Sequence, residues 1–78
     1  MNFTVYSREG CPYCDKVKEV LEIAKLNHVV YKVWEDFDSK SFYGQFGHGS
    51  TFPQVVLDST NLGGCTETVQ YLKEKQLV

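Results

Sequence analysis

Gly10-Cys11-Pro12-Tyr13-Cys14 is the segment of this chain best equipped for chemistry. Two cysteines at this spacing suit disulfide exchange or metal coordination. The flanking pattern favours exchange. Phe3 to Ser7 is a short aromatic and β-branched run and reads as a strand. From Pro12 onward, Val17, Val20, Leu21 and Ala24 recur at helical spacing, while Asp15, Lys16, Lys18, Glu19 and Glu22 face elsewhere. Proline suits the first helical position, where its missing N–H would have had no partner. Cys11 therefore precedes a helical first turn whose amides lack intrahelical acceptors. Those donors and the positive end of the helix favour a thiolate, the form that attacks a disulfide. Cys14, one turn further in on the same face, is placed to resolve a mixed disulfide formed at an exposed Cys11.

Zinc is the competing use of the pair. A structural zinc site needs four ligands. Outside Cys11 and Cys14 only Cys65, His28 and His48 are available, and there is no second C-x-x-C and no H-x-x-H. The expectation is no metal. Three cysteines in a chain of 78 residues do not make a disulfide framework. The first six residues, Met1 to Tyr6, carry no basic stretch followed by an apolar core, so a secretory signal is not expected. The compartment expected is a reducing cytoplasm. Net charge is −2 with acids and bases intermixed, so there is no basic block for nucleic acid and no polybasic or lipidation signal for a membrane.

The elements that must position the cysteines follow from pattern. After the first helix, which Asn27 should stop near Leu26, Val29 to Trp34 reads as a second strand. A helical crossover between the two strands makes them a parallel, right-handed pair. Ser39 could cap a short helix over Lys40 to Phe46, and Gly47-His48-Gly49-Ser50 reads as a loop. Gln54 to Leu57 is an apolar strand, Asp58 to Asn61 a turn, and Leu62 the start of a return strand. Gly63-Gly64 breaks the chain before a last helix from Thr66 to Gln76, with Val69 and Leu72 inward. The order is β-α-β-α-β-β-α, in the α/β class. One mixed sheet of four strands flanked by three helices, in a single domain over residues 1–78, is the compact solution.

Three segments together resemble the glutaredoxin family, over nearly the whole chain. Cys11-Pro12-Tyr13-Cys14 is similar to its dithiol active site, Thr51-Phe52-Pro53-Gln54-Val55 to its T-V-P-Q segment, and Gly63-Gly64-Cys65-Thr66-Glu67 to its G-G-C segment. The resemblance implies a thioredoxin fold with Pro53 in cis facing Cys11. Without the resemblance, Pro53 reads as a plain loop-to-strand stop, because cis prolines are uncommon. In the implied arrangement the backbone of Phe52 pairs with glutathione like an added strand. The Gly64, Cys65 and Thr66 backbone takes its γ-glutamyl carboxylate at a helix start, where Thr66 is otherwise simply a cap. Tyr13 and Thr51 flank the ligand, and Arg8, where the family usually has lysine, serves the glycine carboxylate or the thiolate. Arg8 reads equally well as a solvated surface charge.

Some positions depart from the family pattern. Phe52 replaces the usual valine and adds bulk near the groove. Lys40 or Gln45 could supply the contact that relatives make from the segment Asp38 to Ser50, the least similar part. His48 reads first as a polar loop residue, and Trp34 and the tyrosines as packing. Cys65 reads as a small buried hydrophobe near the site.

The function so implied is glutathione-dependent reduction of protein disulfides and of protein–glutathione mixed disulfides, with Cys11 as nucleophile and Cys14 as resolving thiol. Glutathione is a co-substrate, with no permanently bound cofactor. The partners are glutathione and disulfide-containing or glutathionylated proteins, ribonucleotide reductase being a family client, and the expected state is monomeric. A redoxin reduced by thioredoxin reductase and an iron–sulfur carrier holding a cluster through Cys11 are the alternatives. Proline after the nucleophile disfavours the carrier.

Overall fold

The computed structural model describes residues 1–47 and 49–78. Seven elements follow in the expected order: β1 (Phe3–Ser7), α1 (Pro12–Ile23), β2 (His28–Lys32), α2 (Ser39–Phe46), β3 (Gln54–Leu57), β4 (Thr60–Gly63) and α3 (Cys65–Glu74). The strands form one sheet in the order β2-β1-β3-β4. β1 pairs parallel with β2 and antiparallel with β3, and β3 pairs antiparallel with β4. This is the mixed four-stranded sheet with three helices of a thioredoxin fold.

Alternation along β1 divides the molecule. Phe3, Val5 and Ser7 are buried, and Phe3 and Val5 join Val17 and Leu21 of α1, Val55 and Leu57 of β3, and Cys65 and Leu72 of α3 in one core. Thr4 and Tyr6 point to the opposite face, because successive strand residues do. There the Tyr6 ring meets Phe37 and Phe46, and Phe42 of α2 lies fully buried against Phe37, Phe46 and Phe52. The helices α1 and α3 thus cover one face and an aromatic layer under α2 the other.

Several boundaries differ from the pattern reading. The first helix stops at Ile23, short of Leu26, because Lys25 turns left-handed (φ 57°) and the Leu26 amide bonds back to the Leu21 carbonyl at 3.0 Å. The last helix ends the same way: Gln76 has φ 57°, and the Leu77 amide donates to the Leu72 carbonyl at 2.8 Å. The second strand ends at Lys32, not Trp34. The Glu35 and Asp36 amides both donate to the Lys32 carbonyl, and the Asp36 carboxylate accepts from the Lys32 amide, which folds the chain into a turn. Asp38 rather than Ser39 caps α2, accepting from the Ser41 amide at 2.7 Å. The β3–β4 turn is tighter than expected, only Asp58-Ser59, with Asp58 at φ 54° and Thr60 already paired to Leu57. None of the described helices is long and apolar enough to cross a membrane.

Candidate active site

Cys11 occupies the N-cap of α1, with extended backbone (φ −110°, ψ 101°) and Pro12 next in the first turn. Its sulfur accepts a hydrogen bond from the Cys14 amide at 3.2 Å, as an N-cap oxygen would. Cys11 and Cys14 are joined as a disulfide, their Cα atoms 5.2 Å apart. Opening that bond leaves the Cys11 sulfur beside the first-turn amides, donors that favour a thiolate. Cys14 has no exposed surface, as expected of an inner partner. The reading of Cys11 as exposed needs correction, because it is only 4% accessible. What stands open to solvent is the adjacent Tyr13, at 62%.

The Phe52–Pro53 bond is cis. Pro53 is buried, and its carbonyl lies 3.4 Å from where a Cβ on Gly64 would sit. Gly63 is constrained twice. Its φ of 109° is a conformation side chains rarely adopt, and a Cβ there would fall 3.1 Å from Cγ of Glu67. Gly63 is thus required by its backbone conformation, whereas a side chain on Gly64 would make ordinary contact with the Pro53 carbonyl.

Gly64 is the N-cap of α3 and carries no capping side chain. Thr66 is therefore inside the helix and does not cap it. Thr68 braces the junction, its amide and its hydroxyl both donating to the Gly64 carbonyl, at 3.0 and 2.8 Å. The first amides of α3 are left open toward a cleft of about 180 Å³. Tyr13, Thr51, Phe52, Pro53, Gly64, Cys65, Thr66 and Glu67 line it.

Seven of the expected ligand-binding residues thus meet at one cleft. Arg8 is not among them. It lines a separate cleft of about 370 Å³ with Glu9, Lys32, Val33, Trp34 and Glu35. Lys40 and Gln45 are exposed on α2 and line neither cleft. His48 lies outside the described residues. Phe52 reaches the cleft, yet its ring stacks on Phe42, with centroids 4.2 Å apart and planes 14° apart.

Two nearby residues escaped the sequence reading. Glu67 lines the cleft, and its signal was its place at the end of the Gly63-Gly64-Cys65-Thr66-Glu67 motif. Lys16 is close enough for its charge to act on Cys65, and nothing in its local pattern marks it. Burial pushes the Cys65 thiol up, with the Glu67 charge adding to the rise and the Lys16 charge opposing it. Cys65 is buried, as a small hydrophobe would be. Among the described residues no group of three or more His, Cys, Asp or Glu is placed to hold a metal.

Comparison with known proteins agrees with this geometry. The family model for glutaredoxin matches residues 3–61. Glutaredoxin 1 of Rickettsia prowazekii is 31% identical over 78 residues, covering 94% of this chain and 79% of its own length. The structure of reduced Escherichia coli glutaredoxin superposes with a TM-score of 0.83 at 24% identity, covering 100% of both chains. A buckwheat glutaredoxin solved in complex with glutathione superposes with a TM-score of 0.80 at 20% identity, covering 96% of this chain and 71% of that one. With a cysteine pair closed across the first turn of α1 and a family match over most of its length, this chain belongs to the glutaredoxins, thiol oxidoreductases of the thioredoxin fold.

Proposed function

We propose that the whole 78-residue chain acts as one glutathione-dependent thiol–disulfide oxidoreductase domain. The observation that carries this reading is the convergence of a cis-proline segment and an uncapped helix start on one cleft beside Tyr13 of the redox-active turn. That cleft offers what a γ-glutamyl-cysteinyl peptide needs. The Phe52 backbone can pair with the extended cysteinyl unit. The Cys65 and Thr66 amides can take the γ-glutamyl carboxylate, with the Thr66 hydroxyl assisting. Glu67 is positioned for the adjacent ammonium, and Tyr13 and Thr51 wall the sides. Arg8, outside the cleft, serves the glycine end or the Cys11 charge. The buckwheat relative bound to glutathione supports this choice of ligand.

The chemistry follows from the unequal cysteines. The Cys11 thiolate attacks the glutathione sulfur of a glutathionylated protein, and the protein thiolate leaves and takes up a proton. The thiolate of a second glutathione attacks the glutathione sulfur held on Cys11, releasing glutathione disulfide and restoring the Cys11 thiolate. With a protein disulfide, Cys11 forms a mixed disulfide, and the Cys14 thiolate attacks the Cys11 sulfur and expels the substrate thiol. The Cys11–Cys14 disulfide so formed is reduced by two glutathiones. Clients are disulfide-bearing or glutathionylated proteins, ribonucleotide reductase among the candidates. A reducing cytoplasm and a monomeric state complete the reading.

The test is a glutathione reductase-coupled assay on wild type, Cys11→Ser and Cys14→Ser. Wild type should reduce both substrate classes. Cys14→Ser should keep removing glutathione from a glutathionylated protein and lose reduction of protein disulfides, while Cys11→Ser should lose both. Residual deglutathionylation by Cys11→Ser would refute the assignment of the nucleophile.

A further inference from the structure

Apart from Arg8 itself, no residue of the cleft that Arg8 lines takes part in the reactions above. It sits at the C-terminal ends of the parallel strands, where Ser7 pairs with Lys32 and the Val33 amide donates to the Ser7 carbonyl at 2.9 Å. The loop Arg8–Gly10 runs from this edge directly to Cys11. Trp34 stands over it with 75% of its surface exposed, the most exposed of the large apolar residues.

Trp34 is held there. Its φ is 71°, a conformation that is unfavourable for a bulky side chain. The turn around it is over-determined. Val33 bridges to Phe37, the Trp34 amide donates to the Phe37 carbonyl, and the Lys32 carbonyl receives two further amides. Phe37 in turn packs on Phe42 and Phe52. A turn whose backbone is already fixed has only the two side-chain torsions of its exposed indole left to order when something binds, which suits an interface anchor.

The surrounding charges select the occupant. Lys32 and Glu9 approach to 4.0 Å and offset one another. Lys40 acts on Asp38, whose carboxylate is already engaged as the cap of α2. The Asp36 carboxylate accepts from the Lys32 amide at 2.9 Å. Glu35 has no ionic partner among the described residues and is next in sequence to the indole. Within the cleft lining, Arg8 and Lys32 balance Glu9 and Glu35, and Asp36, next in the turn, adds a further carboxylate. An exposed indole followed in its turn by two carboxylates, Glu35 and Asp36, suits a guanidinium or ammonium, which stacks on the ring face and pairs with an acid.

We propose that the Trp34–Glu35 turn is a docking subsite for an arginine- or lysine-bearing segment of the polypeptide substrate, on the Arg8 side of Cys11 and separate from the glutathione cleft. The inference rests on the proposed disulfide-reducing function, and its test separates the two. Trp34 is the only tryptophan in the chain, so its emission reports on this turn alone. The oxidised 78-residue chain is titrated with a cysteine-free pentapeptide carrying two arginines and with its glutamate counterpart. The arginine peptide should change Trp34 emission saturably, and Glu35→Lys should weaken it about tenfold. No saturable change, or equal affinity for the glutamate peptide, overturns the proposal.

Kinetics give the second readout. Trp34→Gly, which accepts the backbone conformation, should raise KM about tenfold for a peptide disulfide flanked by arginines and leave KM for a small glutathione mixed disulfide unchanged. Equal changes in both, or in neither, also overturn the subsite. Failure of wild type on the small mixed disulfide would instead refute the glutathione-dependent function, and the emission titration would still decide the subsite.

Discussion

Replacing Phe52 with valine, the residue usual in the family, tests whether its ring fills the ligand groove or supports it from behind. The ring is half-buried and stacks on the fully buried Phe42, and the Phe37 ring packs beside both, its centroid 6.3 Å from that of Phe52. Aromatic pairs of this geometry contribute about 0.5–1.5 kcal/mol beyond area burial. Shrinking the side chain at a half-buried site removes apolar contact worth roughly another 1 kcal/mol. Phe52→Val should therefore cost about 2 kcal/mol, against a total of order 4–12 kcal/mol for a chain of 78 residues. For a domain this small the melting temperature should fall by roughly 8–16 °C. Melting is measured on oxidised protein, so that the Cys11–Cys14 bond is the same in both forms. A cycle with Phe42→Leu should return a coupling of about 1 kcal/mol. A loss below about 3 °C with no coupling, accompanied by tighter glutathione binding, would refute the stacking argument and place the ring in the groove.

Two pH effects follow from particular groups. The Ser41 amide, with the Ser41 hydroxyl and the Lys40 charge behind it, holds the Asp38 carboxyl below its ordinary range. Its folded pKa is depressed, so the stability it contributes is present above the ordinary carboxylate range and lost as pH falls through the folded value. Melts from neutral to strongly acid pH should show wild type losing more stability on acidification than Asp38→Asn, and parallel curves would contradict the capping role. Cys65 behaves oppositely. Burial raises its thiol, so the contribution is present at neutral pH and fades as pH climbs past the ordinary thiol range. Cys65→Ala should flatten the alkaline limb of the stability profile, and in reduced wild type at neutral pH iodoacetamide should modify Cys65 after Cys11.

Much of the site was legible because its signals are local. A cysteine before a proline-led helical pattern is an N-cap by sequence alone, and the Cys14 amide on the Cys11 sulfur is the contact such a position makes. The order of elements followed from periodicity, and Gly63-Gly64 marked the break before a helix, Gly63 taking a φ of 109° that other residues rarely adopt. Boundaries were less legible where they depend on single backbone choices. Lys25 and Gln76 turn left-handed to end their helices, though neither is a residue type that advertises the turn. Asp36, not the propensity of Val33 and Trp34, ends β2.

What the sequence determined by itself was the reactive pair, its place at a helix start and the types of the elements around it. Tertiary structure decided which residues share a space. It set seven candidates around one cleft and left Arg8 in another, since the side to which an exposed loop residue turns depends on the strand edge beneath it. It buried Cys11 to 4%, a property of the chain packed over the sulfur and not of the C-x-x-C spacing. It turned Phe52 onto Phe42 and held Trp34 in solvent, because ring stacking and the bonds of a turn join residues whose separation in the chain carries no pattern.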